Sequence, residues 1–247
     1  IPILLLTQPS ISDIDTLIKL NVIPTVYSYE FAKVLSQKAK EQSKSLGIHI
    51  KIDTGFHRLG IKGGGTISEI QKINSLPHIE IQGFYTHFSS ATTKDLDYTK
   101  TQFAIFMNAI NQLKKKRVVA KYLHTANSPA FVWFSESQLN LVRLGMAVFG
   151  LQPSLSKNYP LPIKCGLTWK TKILQIKYVK KGESVGYDNG WIATKKTRIA
   201  CISVGYADGF RYGPQNFGYV LCGGKKAPII GKVSMSLSTI QISSSPT

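Results

Sequence analysis

Polar and ionisable side chains recur in this sequence where short apolar runs end. Over 48–53, Ile48, Ile50 and Ile52 alternate with His49, Lys51 and Asp53. The period of two sets an imidazole, an ammonium and a carboxylate on one strand face. His87 closes the run Ile79 to Phe88, Asn127 and Ser128 follow Tyr122 to Thr125, and Arg143 stands between Val142 and Leu144. An imidazole can move protons near neutral pH, and a guanidinium holds a permanent cation for an anionic partner. Taken singly, each fits a hydrogen-bonded core residue. Taken together, they sit at the same end of successive strands, the rim where a (β/α)₈ barrel builds its active site, and so read as one pocket.

The elements that must position these groups alternate. Ser12 is a candidate N-cap, with Asp13 and Asp15 in the first turn and Ile14, Leu17 and Ile18 at helical spacing. A strand from Thr25 to Tyr27 follows, then a helix marked by Phe31, Val34 and Leu35 that is expected to end near Gly47. A short helix over Ile67 to Ile73, the strand Ile79 to Phe88, and a helix marked by Phe103, Phe106, Ile110 and Leu113 continue the series. Apolar runs at Tyr122 to Thr125 and Leu139 to Phe149 extend it, the second carrying Arg143 inside a strand. This rhythm predicts βα units on a parallel sheet, either a barrel or doubly wound.

Beyond Cys165 the pattern turns β-rich, broken by Lys181-Gly182, Asp188-Asn189-Gly190, Ala207-Asp208-Gly209 and Gly223-Gly224. Between Cys165 and Thr247 there are 12 basic residues against Glu183, Asp188 and Asp208, a different balance from the first half. The expected organisation is a partial barrel over 1–151, a linker over 152–164 and an all-β domain over 165–247.

Composition narrows the function classes. Of 247 residues, 43% are hydrophobic and 18% charged, enough apolar material for a core and no signature of disorder. No stretch of about 18 apolar residues is present to span a bilayer. Ile1 stands where a methionine would begin a whole chain, so a truncated piece is expected, and no basic segment marks a signal peptide. Cys165, Cys201 and Cys222 are an odd number at wide spacing, which indicates neither a disulfide framework nor a zinc site and fits the cytoplasm. The net charge of +18 comes mainly from scattered lysines, since Arg58, Arg117, Arg143, Arg198 and Arg211 are the only arginines. With no aromatic interleaving, a solvated surface is expected rather than a nucleic-acid footprint.

Several motifs resemble the alanine racemase family. Lys51-Ile52-Asp53-Thr54-Gly55-Phe56-His57-Arg58-Leu59-Gly60 is similar to its signature, as are Tyr85-Thr86-His87-Phe88, His124-Thr125-Ala126-Asn127-Ser128 and Val142-Arg143-Leu144-Gly145-Met146. In the β half, Leu167-Thr168-Trp169, Ser184-Val185-Gly186-Tyr187, Val204-Gly205-Tyr206-Ala207-Asp208-Gly209 and Gly231-Lys232-Val233-Ser234-Met235 resemble the family's C-terminal domain in the right order. Motifs in fixed order are more specific than any lone glycine pattern.

The resemblance implies a pyridoxal 5'-phosphate (PLP) enzyme that interconverts L- and D-alanine for peptidoglycan, as a homodimer with sites shared between chains. It implies that Arg143 faces the pyridine nitrogen, that Ser128, Gly145 and Met146 contact the phosphate, and that His87 packs near the ring. It makes Lys51 a possible carbamyl-lysine able to pair with Arg58, and puts Arg58 near the substrate carboxylate. Tyr187 matches a catalytic base, with Tyr206 and Met235 lining the pocket of the partner chain. No metal is implied. Read without the family, Tyr187 fits the flank of a hairpin turn, Met235 a core residue, and Lys51 an exposed edge.

The family's PLP lysine is expected upstream of Ile1, and a phosphate-binding tyrosine beyond Thr247, so the chain by itself is expected to be inactive. Ser236 and Gln241 stand where the family usually carries acids, and Thr92 and Thr93 where an acid is common. The alternatives are a racemase of another small amino acid such as serine, or a non-catalytic paralogue keeping the fold.

Overall fold

A computed structural model describes residues 1–93, 95–152, 162–212 and 217–242. The chain divides into two compact units, 1–167 and 168–247. Most of the expected linker, 153–161, lies outside the described residues.

The first unit is a partial β/α barrel. Strands β1 (Ile3–Leu5), β2 (Val22–Val26), β3 (Leu46–Lys51), β4 (Ile79–Tyr85) and β5 (Tyr122–His124) lie parallel in chain order. Helices α1 (Ile14–Lys19), α2 (Tyr29–Glu41), α3 (Thr66–Asn74) and α4 (Asp97–Lys115) make the crossovers. The short α5 (Ser128–Trp133) follows β5. Each long helix buries one stripe. Phe31, Leu35 and Ala39 of α2, Ile70 and Ile73 of α3, and Phe106, Ile110 and Leu113 of α4 join Ile48, Ile50, Ile81 and Phe84 in one core.

Four local expectations are corrected. Ser12 caps no helix: it lies within a single 3₁₀ turn, Ile11–Asp13, that Ser10 opens by donating to Asp13. Gly47 does not close α2. Ser43, at φ 52°, makes the left-handed turn, with Ser43 N bonded to Lys40 O and Lys44 N to Ala39 O. β4 stops at Tyr85 rather than Phe88, where its pairing with β5 ends and the Thr86 carbonyl turns to Arg143.

The run Leu139 to Phe149 is no strand. Asn140 occupies the edge of β5 with its side chain, accepting from Leu123 N at 2.7 Å and donating to Lys121 O at 2.8 Å. An amide side chain thereby satisfies the groups that a sixth strand would have paired. Arg143 is held instead by its own N–H on Ala126 O at 3.0 Å.

The second unit is all-β. Strands β6 (Ile173–Val179), β9 (Thr197–Ile202), β10 (Tyr219–Cys222), β11 (Lys225–Ile230) and β12 (Ser238–Gln241) form an antiparallel sheet in the order β10-β11-β12-β9-β6, beside a hairpin of β7 (Ser184–Val185) and β8 (Trp191–Ile192). Its core gathers Ala200, Ile202, Val204, Phe210, Val233 and Ile240. No helix among the described residues is long and apolar enough to cross a membrane.

Candidate active site

The inward residues of β3, β4 and β5 meet at one end of the sheet because the register aligns Lys51 with Tyr85 and Tyr85 with His124. Arg143 reaches the same place from outside the sheet. Its Nη1 donates to His124 Nδ1 at 2.7 Å and His124 O at 2.9 Å, and its Nη2 to Thr86 O at 2.6 Å and Thr125 O at 3.2 Å. The guanidinium also lies 5.0 Å over the Tyr85 ring, which stacks on His124 at 4.7 Å. Tyr85 is itself fixed by its hydroxyl, on Thr25 Oγ1 at 2.9 Å and Leu6 O at 3.0 Å.

Every acceptor on Arg143 is neutral, and none of the ion pairs among the described residues involves it. Burial lowers its affinity for the proton to a pKa of about 10, which still leaves a cation at neutral pH. A half-buried cation held by neutral groups keeps its charge available to a ligand beside it.

The neighbours share this positive environment. Burial, then Arg143, pushes His49 down to about 4; burial, then Arg143 and His49, pushes His124 down to about 2. His87, held near Phe56 ring-edge to ring at 5.5 Å, falls to about 4 through burial, Arg143, Arg58 and Lys51. All three imidazoles are neutral at pH 7 and able to accept.

Lys51 is 4% exposed, which removes the exposed-edge reading. Its ammonium donates to Leu59 O at 2.6 Å. Burial pushes its pKa below the ordinary lysine range; Asp53 opposes this, and Arg58 and Arg143 add to it.

Arg58 is presented by the loop 53–60. Asp53 accepts from the N–H groups of Gly55 and His57, both at 3.0 Å, and from the His57 ring at 3.2 Å. Burial raises the Asp53 pKa, but these donors together hold it below its usual value. Gly60, at φ 128°, lets the loop return, since a Cβ there would lie 2.7 Å from Asp53 N. Arg58 then packs 4.3 Å over Phe56. Arg58 acts on Lys51 through its charge, which lowers the lysine's pKa.

Ser128 stands at the start of α5, whose cap is Asn127 accepting from Ala130 N at 3.1 Å. Its hydroxyl accepts from Gly145 N at 2.9 Å and Ala147 N at 3.4 Å. Space is open where a Gly145 Cβ would stand, and Met146 is exposed. A cation with no counter-ion among the described residues, and the Gly145 and Ala147 amides gathered on the Ser128 hydroxyl next to the open space at Gly145, fit a planar heteroaromatic ring bearing a phosphate.

The second unit gathers the other expected residues by itself. Tyr187 opens a single 3₁₀ turn, Tyr187–Asn189, between β7 and β8 and is 66% exposed, so it both flanks the hairpin turn and presents its phenol. Gly186 and Gly231 let this turn pack on the loop after β11: a Gly231 Cβ would lie 2.6 Å from Val185 O. That loop carries Met235, which is exposed rather than core. It also meets the Tyr206 turn, with Tyr206 N on Ser234 O at 3.0 Å and Ala207 N on Met235 O at 2.8 Å. Tyr85 joins the site although its only sequence signal is an aromatic beside His87 in a motif.

The chain matches the alanine racemase N-terminal domain over residues 1–153 and the alanine racemase C-terminal domain over residues 166–247. Alanine racemase of Halothermothrix orenii is 36% identical over 246 residues, covering 100% of this chain and 65% of the relative. That of Clostridium tetani is 36% identical over 245 residues, covering 98% and 63%. Among solved structures, alanine racemase of Clostridium difficile 630 superposes with a TM-score of 0.92 at 30% identity, over 99% of this chain and 64% of that one. Alanine racemase of Bacillus anthracis with bound L-Ala-P gives a TM-score of 0.91 at 31% identity, over the same shares. The chain therefore spans just under two thirds of the length of these relatives. With the N-terminal and C-terminal domains both matched, in that order along the sequence, the chain belongs to the alanine racemase family.

Proposed function

We propose that this chain serves a PLP-dependent racemase that interconverts L- and D-alanine, supplying D-alanine for peptidoglycan. The observation that carries this is Arg143, a half-buried cation backed only by neutral acceptors. Facing a pyridine nitrogen, such a donor keeps that nitrogen unprotonated. When bound, PLP supplies an electron-withdrawing ring that acidifies the Cα proton of an amino acid attached to it.

The residues divide the remaining work. Ser128, Gly145 and Met146 hold the phosphate, and neutral His87 packs beside the ring without adding charge. Arg58 holds the substrate carboxylate. Tyr187 moves the Cα proton on one face, and the family's cofactor lysine serves the other. Tyr206 and Met235 line the pocket. Lys51, with its lowered proton affinity, is carbamylated: the neutral amine attacks carbon dioxide, an N–C bond forms as one C=O π bond opens onto its oxygen, and the nitrogen releases a proton to water. The resulting anion pairs with Arg58. The protein works in the cytoplasm as a homodimer, with domains bounded near 1–151 and 165–247.

Solvent-deuterium incorporation, started separately from L- and D-alanine, tests the assignment. Tyr187→Phe should lower racemisation by roughly 10²–10⁴-fold, while exchange without inversion survives from one enantiomer only. Equal loss from both would overturn the two-base reading.

A further inference from the structure

His49 faces Gly83 across β3 and β4, at a point where the register shifts: Ile48 pairs with Ile81, but His49 pairs with Gly83. Gly83 is not among the residues with positive φ, so its backbone does not demand glycine. The demand is steric. A Cβ at Gly83 would lie 2.4 Å from Cε1 and Nδ1 of His49 and 2.8 Å from its Cγ. The space that the missing side chain leaves is filled by the imidazole.

The ring so placed stands in line with Arg143. His49 Nδ1 lies 2.7 Å from His124 Nε2, and His124 Nδ1 lies 2.7 Å from Arg143 Nη1. A guanidinium only donates, so His124 Nδ1 accepts and its proton sits on Nε2. That proton is donated to His49 Nδ1, which leaves the His49 proton on its own Nε2. Protonating either ring would set two donors face to face. The residues are 2% and 0% exposed, so water cannot replace either partner cheaply.

We infer that His49 is a positioning residue for Arg143, acting through His124, and that Gly83 is the space that admits it. A carboxylate in the place of His49 could orient His124 equally well, but would bring a counter-ion towards Arg143. A neutral imidazole orients without neutralising. The inference deepens the reading of Arg143 given above and rests on it only for the effect on turnover.

Nitrogen NMR of the cofactor-free protein labelled at histidine tests the relay independently of any substrate. His124 should show an unprotonated Nδ1 and a protonated Nε2, and His49 an unprotonated Nδ1. His49→Phe and Gly83→Ala should each shift the His124 signals. In the cofactor-loaded enzyme, each should lower kcat roughly tenfold, as lost supporting contacts do at other sites. KM for alanine should change less than about twofold if only the reacting state is affected. Because Gly83→Ala acts through the His49 ring, adding it to His49→Ala should cost nothing further. A proton on His124 Nδ1, additive defects in the double variant, or wild-type His124 signals and kcat in His49→Phe would each overturn the inference. If Gly83→Ala does not fold, His49→Phe and the double variant still decide. Altered His124 signals with no alanine turnover in the cofactor-loaded wild-type enzyme would uphold the relay and sink the functional reading instead.

Discussion

Arg143 gathers four hydrogen bonds at one residue, and their geometry explains why a lysine would not replace it. Four acceptors diverge around one planar fork, at distances from 2.6 to 3.2 Å. A lysine there offers one compact ammonium and cannot reach His124 Nδ1 and three carbonyls together. Arg143→Lys should therefore leave buried acceptors unpaired and lower stability by about 2 kcal/mol or more, read from urea denaturation. An unchanged midpoint would mean that the acceptors are satisfied without the fork. Lys51 carries a prediction of its own. With carbon-13-labelled bicarbonate, a carbamate resonance should appear and be absent from Lys51→Arg, whose guanidinium lacks a free amine pair. A resonance that persists in Lys51→Arg would place the carbamate elsewhere.

At the scale of elements, strand ends and loop returns do the positioning. His49 on β3 and His124 on β5 are buried neutral, with pKa values of about 4 and about 2 against an ordinary 6.5. Because both are lowered in the fold, the unfolded chain takes up protons first as pH falls. Their contribution is complete above pH about 6.5 and is lost as the pH falls towards about 4 for His49 and further for His124. Each fully desolvated imidazole should withdraw about 2 kcal/mol between pH 7 and pH 5, seen as a falling urea midpoint. A midpoint flat over that range would contradict the buried neutral pair. In the second unit, Gly205 has an ordinary φ of −148°, yet a Cβ would stand 2.2 Å from Ser234 O and 2.3 Å from Met235 O. Gly205→Ala should push the Tyr206 turn from the Met235 loop and cost ~1–3 kcal/mol, the range for forcing atoms into a packed site. Thermal unfolding that matches wild type would show the loops to be free to part.

For the whole molecule, the expected site residues are split between two compact units: Arg143, His87 and Ser128 in one, Tyr187, Tyr206 and Met235 in the other. If sites are shared between chains, a Tyr187→Phe chain mixed with an Arg143→Glu chain should recover activity. Both defects then fall in one site of the heterodimer, and the other site is intact. Random exchange makes half the dimers heterodimers, so about a quarter of wild-type activity should return. No recovery, with subunit exchange confirmed by mass, would assign Tyr187 to its own chain.

Much of this was legible from local pattern. The alternation of Ile48, Ile50 and Ile52 with His49, Lys51 and Asp53 forecast β3 and its polar face, and the turn-rich second half forecast an all-β unit. Motif order forecast the family. Periodicity encodes which face of an element is buried, and that needs only neighbours in sequence. Three features needed the fold. Arg143 lies outside any strand because Asn140, three residues earlier, spends its amide on the edge of β5. The line from His49 through His124 to Arg143 joins residues 75 and 19 apart in sequence. It depends on one shifted register that sets Gly83 against an imidazole. Pairings between distant strands, and the space a missing side chain leaves for another, have no local signature, so only the tertiary structure decided them.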